Sequence, residues 1–226
     1  MTTDRISVIT FPPPLENGDR LTRVEFERRY SAHPELKKAE LIEGIVYIAL
    51  PVRITHGESH ASAIGWLGFY KALTPGLQLG DNCTVRLDNE NEVQPDILLR
   101  IQSGGQSIVS EQDYVEGAPE LIVEIAASSV SIDLHGKFRV YQRHRVQEYL
   151  IWRVYDRAID WFRLREDNYV PLQPDSEGII KSEIFPGLWL DIPALLSGDL
   201  AKVLEVLQRG IALPEHRDFV KSLLEN

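Results

Sequence analysis

The chain has 226 residues, of which 43% are hydrophobic and 26% charged, a composition typical of one globular domain with a buried core and not of a disordered chain. The formal net charge of −10 argues against a broad basic surface that grips nucleic acid without regard to sequence, but it does not exclude a nuclease whose acids bind metal. The single cysteine, Cys83, excludes an internal disulfide.

Three further features of the sequence indicate the cellular compartment of the protein. No segment reaches the ~18 to 20 uncharged apolar residues of a membrane span. The first seven residues lack a signal-peptide pattern, and one unpaired cysteine suits a reducing compartment. We therefore expect a cytoplasmic protein with no membrane contact.

The N-terminal region begins without periodicity. Its Phe11-Pro-Pro-Pro-Leu15 segment predicts an extended arm over residues 1–19. Thr22 with Glu25 three residues later has capping-box spacing, which predicts a helix that ends before Pro34.

Strands and a second helix follow. The β-favouring residues of 40–50, with Glu43-Gly44 between them, predict a strand pair or one bent strand. Near-helical apolar spacing predicts a helix from His60 to Leu73, so that His56 and His60 lie at or before its start.

The remaining chain alternates short apolar runs with polar segments. Strands are predicted at 84–87, 94–99, 120–126, 148–152, 158–164 and 169–172, with the run at 120–126 buried on both faces. A loop is predicted at 102–118, and helices at 128–144, 200–209 and 214–224. Residues 20–195 are interpreted as the main domain and 196–226 as a helical tail.

Two acids interrupt apolar strands. Glu124 lies inside the 120–126 run, and Asp96 directly precedes Ile97-Leu-Leu99. A buried charge costs several kcal/mol unless it is compensated. If the two strands are neighbours, one divalent cation such as Mg²⁺ or Mn²⁺ bound by Asp96 and Glu124 is the simplest compensation. Such an ion could activate water and stabilise charge on a phosphoryl group.

Three further side chains are candidates. Lys137, in the helix after the Glu124 strand, could supply a cation, and Tyr141 follows on the same helix face. Glu40 lies beside the first apolar strand. Each acid and the lysine also has a plain interpretation: a turn cap for Asp96, pairing with an arginine for Glu124, and a solvated surface position for Lys137 and Glu40.

Five segments, in this order, carry a family resemblance. They are Ala39–Tyr47, Gln94–Ile97, Pro119–Ile125, Lys137–Tyr141 and Val146–Trp152. Together they resemble the Uma family of "putative restriction endonucleases", which belongs to the PD-(D/E)XK nuclease superfamily. The similarity extends from about residue 20 to about residue 191.

The resemblance implies a fold and a site. The expected fold is of the mixed α/β (α+β) class, a restriction-endonuclease-like core in which helices flank a mixed β-sheet. The implied roles are metal binding for Asp96 and Glu124, catalysis for Lys137 and assistance for Glu40. One departure is that Ala126 stands where the superfamily has its lysine, so Lys137 would act from the following helix.

Our leading hypothesis is a Mg²⁺- or Mn²⁺-dependent endonuclease that hydrolyses DNA phosphodiester bonds, with Tyr141 and His60 as substrate-binding residues. A homodimer is expected by analogy with restriction-type nucleases. The alternatives are a nucleic-acid-associated accessory or binding module with weak or no cleavage, and a structural dimer whose buried acids pair with arginine. The His56/His60 pair could also be structural.

Overall fold

The computed structural model describes residues 12–127 and 132–225. Its helices in chain order are α1 (Arg23–Ser31), α2 (Ile54–Ala72), α3 (Phe138–Arg143), α4 (Ile192–Ser197), α5 (Leu200–Ile211) and α6 (Pro214–Leu224). A π-helical turn, Ile132–Lys137, leads directly into α3.

The strands among the described residues form two six-stranded sheets and one two-stranded sheet. In chain order they are β1 (Ala39–Ile42), β2 (Ile45–Ile48), β3 (Leu77–Asp81), β4 (Val85–Arg86), β5 (Glu92–Val93), β6 (Ile97–Ile101), β7 (Ile108–Val109), β8 (Val115–Glu116), β9 (Leu121–Ala126), β10 (Glu148–Arg153), β11 (Ala158–Arg165), β12 (Asn168–Pro171), β13 (Ile179–Lys181) and β14 (Trp189–Asp191). We call the sheet ordered β12-β11-β10-β9-β6-β3 the central sheet and that ordered β2-β1-β5-β4-β8-β7 the first sheet.

The central sheet is mixed, because β9 pairs parallel with β10 and antiparallel with β6. Strand β9 is buried along its whole length. Its alternate side chains enter two hydrophobic clusters: Val123 packs with residues of α2 and α5, and Ile122 packs with residues of α3 and the first sheet. The predicted α/β class, with helices flanking a mixed sheet, is therefore confirmed, as is burial of this strand on both faces.

The first sheet begins with the predicted hairpin. Glu43 and Gly44 both have positive φ, 52° and 73°, as a two-residue turn of the I′ type requires. Helix α1 covers this sheet through Phe26, which packs against Leu41 and Val46. Thr22 occupies the N-cap position but its side chain caps nothing, so the predicted capping box does not form.

Helix α2 begins earlier than predicted, at Ile54, so His56 and His60 lie within it and not before it. The first turns of α2 lie beside Asp96, which His56 and His60 contact, so apolar periodicity is missing there. The predicted loop at 102–118 was also partly wrong, because it contains the short strands β7 and β8.

The C-terminal helices pack onto the main core. Val203 and Leu207 of α5 and Leu223 of α6 belong to the same hydrophobic cluster as Trp66 of α2. Trp66 Nε1 also donates to the Trp189 carbonyl oxygen at 2.9 Å. The predicted boundary at residue 195 falls inside α4.

Two sequence-based expectations fall partly outside the described residues. Residues 1–11 of the predicted N-terminal arm and the start of the helix predicted at 128–144 both lie there. The part of that helix that is described consists of the π-helical turn and α3. No helix within residues 12–127 or 132–225 is long and apolar enough to cross a membrane.

Candidate active site

Asp96 lies where the chain passes from the first sheet into the central sheet. It follows β5 and directly precedes β6. The β6–β9 register pairs Ile97 with Val123, so one more step places Asp96 opposite Glu124. Opposed residues of an antiparallel pair have Cβ atoms about 4.5 to 5.5 Å apart and face the same side of the sheet. The fold therefore brings the two predicted acids together.

Glu124 is deeply buried, with 3% of its side chain exposed. Its Oε1 accepts hydrogen bonds from Lys137 Nζ at 2.9 Å and from the Tyr141 hydroxyl at 2.8 Å. Burial raises the pKa of Glu124 well above that of an ordinary glutamic acid, and the charge of Lys137 only partly offsets this effect. The cation beside Glu124 is thus Lys137, not the arginine of the alternative interpretation.

Lys137 is the cation at the centre of the cluster and is only 4% exposed. Its Nζ lies 2.9 Å from both Glu40 Oε1 and Glu124 Oε1, and 3.8 Å from Asp133 Oδ1. Burial by itself would lower the pKa of Lys137, but these carboxylates raise it well above its usual value. The lysine therefore stays protonated, and the interpretation of Lys137 as a solvated helix residue is wrong.

The π-helical turn contributes to this placement. It ends at Lys137, and α3 begins at the next residue. Lys137 and Tyr141 are four residues apart, and both side chains reach one carboxylate oxygen of Glu124. π-helical turns are rare and are frequent at functional sites.

Asp96 has the opposite electrostatic character to Glu124. Burial by itself would raise the pKa of Asp96, but a hydrogen bond from His56 and the charges of two lysines, Lys38 and Lys137, outweigh that effect. The backbone N–H of Ile125 also donates to Asp96 Oδ2 at 2.8 Å. Together these contacts hold the pKa of Asp96 well below its usual range, so this carboxylate is ionised at neutral pH.

Glu40 lies on β1 of the first sheet and joins the same cluster. Its Oε1 accepts the backbone N–H of Gln94 at 2.7 Å as well as the Lys137 contact. Glu40 is 11% exposed, so the interpretation as a plain surface acid is wrong.

The two residues predicted to bind substrate lie at different depths. His60 Nε2 is 3.1 Å from the backbone carbonyl oxygen of Asp96 and 3.2 Å from Asp81 Oδ1, and the side chain is 17% exposed. Tyr141 is fully buried, with its hydroxyl on Glu124. Its hydroxyl contacts Glu124, and substrate binding by Tyr141 stays a prediction.

Two residues of the cluster were missed in the sequence. Lys38 Nζ lies 3.3 Å from Asp96 Oδ1, and Asp133 is buried beside Lys137. A signal existed for each: Lys38 is two residues before Glu40, on the same face of the extended chain, and Asp133 is four residues before Lys137, one helical turn away.

The carboxylates of the cluster can be compared with the ligands that a divalent cation requires. Within the described parts of the chain, no three aspartate, glutamate, histidine or cysteine residues form a group that could hold an ion. Mg²⁺, however, usually keeps several waters and takes only one or two protein carboxylates. Asp96 and Glu124 supply two carboxylates on one side of the sheet, so the residues fit a magnesium-type site and do not fit a fully enclosed cage.

The chain is similar to known proteins in both sequence and fold. The family model Uma2, described as "Putative restriction endonuclease", matches residues 23–193. A crystal structure described as a "putative nuclease" from Anabaena variabilis ATCC 29413 matches with a TM-score of 0.56 and 15% identity, covering 71% of this chain and 90% of that chain. Comparison with curated proteins gave no match. The structural match shows a shared fold, and the sequence match over most of the chain shows that this protein belongs to the Uma2 family of nuclease-like proteins.

Proposed function

We propose that the chain is a Mg²⁺- or Mn²⁺-dependent endonuclease that hydrolyses DNA phosphodiester bonds. The observation that carries the proposal is the opposition of Asp96 and Glu124 across β6 and β9, with the buried Lys137 ammonium on Glu124. Family membership and a nuclease-like fold support the same reaction class.

Asp96 and Glu124 are the residues that would hold the ion. When bound, a divalent cation supplies Lewis acidity toward a phosphoryl oxygen and acidifies water. Asp96 is ready for this role, because its neighbours keep it ionised. Glu124 is held in place by Lys137 and Tyr141, so its orientation is fixed before substrate arrives.

Lys137 acts as a fixed positive charge next to the reacting group. Phosphoryl transfer gathers negative charge on the phosphoryl oxygens, and an ammonium already positioned there stabilises the transition state more than the ground state. The enclosure of Lys137 strengthens this effect, because little water screens its charge. Glu40 and Asp133 keep Lys137 protonated and oriented.

A cleavage assay tests the proposal. The purified chain is incubated with supercoiled DNA, single-stranded DNA and RNA in Mn²⁺ or Mg²⁺, beside Glu124→Gln and Asp96→Asn. Glu43→Gln is the matched control, because Glu43 lies in the nearby β1–β2 turn and pairs with the exposed Arg139. We expect DNA cleavage by wild type and Glu43→Gln and its loss in the two site variants. Equal cleavage by Glu124→Gln and wild type would refute the assignment.

A second candidate function is an accessory or binding module that keeps the fold but cleaves weakly or not at all. The specific observation in its favour is that Lys137 and Tyr141 already occupy Glu124 Oε1, an atom that a metal would need. Calorimetric titration with Mn²⁺ decides between the two. Metal binding that is lost in Asp96→Asn, together with DNA cleavage, supports the nuclease; DNA binding without either supports the module.

We also propose a homodimer, because cutting both strands of a duplex calls for two sites. Light scattering after size-exclusion chromatography measures the mass directly. A mass of 25.7 kDa at assay concentration would show that one chain acts alone.

A further inference from the structure

Lys38 lies at the accessible edge of the candidate site. Its Nζ is 3.3 Å from Asp96 Oδ1 and 3.4 Å from Asn82 Oδ1. A charge-assisted N–H···O bond is ordinarily about 2.7 to 2.9 Å long. Both contacts of Lys38 are therefore long. Its ammonium lies near Asp96 and can still donate a short hydrogen bond to another acceptor.

Exposure separates the two lysines of the site. The side chain of Lys38 is 21% exposed, whereas that of Lys137 is 4% exposed. His56, which contacts the Asp96 carboxylate, and His60, which contacts the Asp96 carbonyl oxygen, are partly exposed like Lys38. Glu124 and Tyr141, by contrast, are buried. An anion arriving from solvent therefore meets the Lys38 side of the cluster first.

The charge balance of the cluster favours a cation at the place where a phosphate would arrive. Four acids contact or surround the two lysines: Asp96, Glu40, Glu124 and Asp133. These acids outnumber the two lysines whether or not Glu124 is protonated, so the carboxylates by themselves repel a phosphate. Lys38 supplies a positive charge beside Asp96, on the exposed side of the cluster.

We propose that Lys38 is a phosphate-binding residue, whose ammonium donates a hydrogen bond to a non-bridging oxygen of the nucleic-acid phosphodiester as that group reaches Asp96. This inference rests on the proposed function for the identity of the substrate. It assigns the two lysines different tasks: Lys38 receives the phosphate, and Lys137 stabilises the charge that develops during the reaction.

The test separates nucleic-acid binding from cleavage. Affinity for a short labelled DNA duplex is measured in Ca²⁺, which takes oxygen ligands like Mg²⁺, over a series of salt concentrations. The variants are Lys38→Gln, Lys38→Arg and Lys37→Gln. Lys37 is the matched control, because it is the exposed neighbour of Lys38 and its removal changes the net charge equally.

Loss of one phosphate contact has a defined signature. The slope of log affinity against log salt concentration should fall in magnitude by about 0.9, and affinity at ~0.1 M salt should fall about eightfold. Lys37→Gln should leave both quantities at wild-type values, and Lys38→Arg should retain most of the affinity. Mn²⁺ affinity in Lys38→Gln should rise, because a cation beside Asp96 opposes a second one.

In Lys38→Gln the affinity for DNA should fall while the affinity for Mn²⁺ rises. This combination distinguishes a lysine that binds phosphate from one that only positions Asp96. A positioning residue would change Mn²⁺ affinity and leave the salt slope unchanged, which would overturn the inference. If wild type cleaves DNA and Lys38→Gln matches Lys37→Gln in salt slope and in KM, the nuclease stands and the role of Lys38 fails. If wild type shows Lys38-dependent binding without cleavage in Mn²⁺, the role of Lys38 stands and the nuclease fails. Absence of any DNA binding by wild type overturns both.

Discussion

Replacing Lys137 by methionine should destabilise the protein and also slow cleavage strongly. Methionine keeps the length of the side chain and removes its charge. Glu40 and Glu124 each lose a partner at 2.9 Å, and Asp133 loses one at 3.8 Å. All three acids are largely buried, so water replaces little of what is lost.

The magnitude follows from the enclosure of the pair. Removing one partner of a buried ion pair costs about 3 to 5 kcal/mol. For a domain of this size each kcal/mol lowers Tm by about 2 to 4 °C, so the expected decrease is roughly 6 to 20 °C. The cleavage rate should fall by ~10² to 10³, the usual effect of losing one group that stabilises a transition state.

Calorimetry with a double-variant cycle measures the interaction. Lys137→Met, Glu124→Gln and the combined variant are unfolded at the same pH with and without Mn²⁺. The combined variant should be more stable than Lys137→Met alone, since it no longer buries a Glu124 carboxyl that has lost its partner. Mn²⁺ should bind Lys137→Met at least as tightly as wild type, because the metal no longer competes with the ammonium.

Two results would refute this reasoning. A Tm for Lys137→Met equal to that of wild type would mean that the lysine does not balance the buried acids. Wild-type cleavage by a folded Lys137→Met protein would mean that the transition state is stabilised by another cation.

Three further predictions concern pH, the buried tyrosine and the docking of the last helix. Because the pKa of Glu124 is raised in the folded state, the metal-free protein should lose stability as the pH rises above the usual pKa of a glutamate. The increase in Tm on adding Mn²⁺ should therefore be larger at about pH 8 than at about pH 6. Glu124→Gln should remove this difference, and an increase in wild type that does not depend on pH would contradict the prediction. Tyr141→Phe removes the 2.8 Å hydrogen bond to Glu124 and should lower the free energy of unfolding by about 1.5 to 3 kcal/mol in urea titrations, with an unchanged value counting against this contact. Gly76→Ala should cost at least ~1 kcal/mol, because Gly76 has φ +94° and an added Cβ would lie 2.9 Å from Leu223 Cβ; equal melting curves would mean that α6 does not dock there.

Local sequence patterns predicted those parts of the fold that depend on short-range chemistry. The Glu43-Gly44 turn and the buried strand around Glu124 followed from turn preferences and apolar runs. The N-cap of α1 failed, because Glu25 binds Arg28 and Arg29 and so takes no part in a capping box. Periodicity could locate an element, but it could not say which competing partner a side chain would take.

The candidate site shows the same division. Asp96 and Glu124 were recognisable because charges among apolar residues require compensation, and Lys137 followed as the cation that these acids need. Lys38 had only the weaker signal of its spacing from Glu40, since it lies just outside its strand and only the folded sheet brings it to Asp96. Its distance from Asp96 in sequence, 58 residues, makes their contact a property of the tertiary structure alone.

The Lys137 ammonium has a mechanical consequence. Glu40 belongs to the first sheet and Glu124 to the central sheet, and Lys137 bonds to both, so one side chain clamps the two sheets at the site. Asp96 lies in the short segment that connects β5 of the first sheet to β6 of the central sheet. A shift of one sheet against the other must therefore alter the spacing of the carboxylates. In the proposed nuclease, we expect substitutions in the remote strands of the first sheet to change the cleavage rate without touching a reacting group.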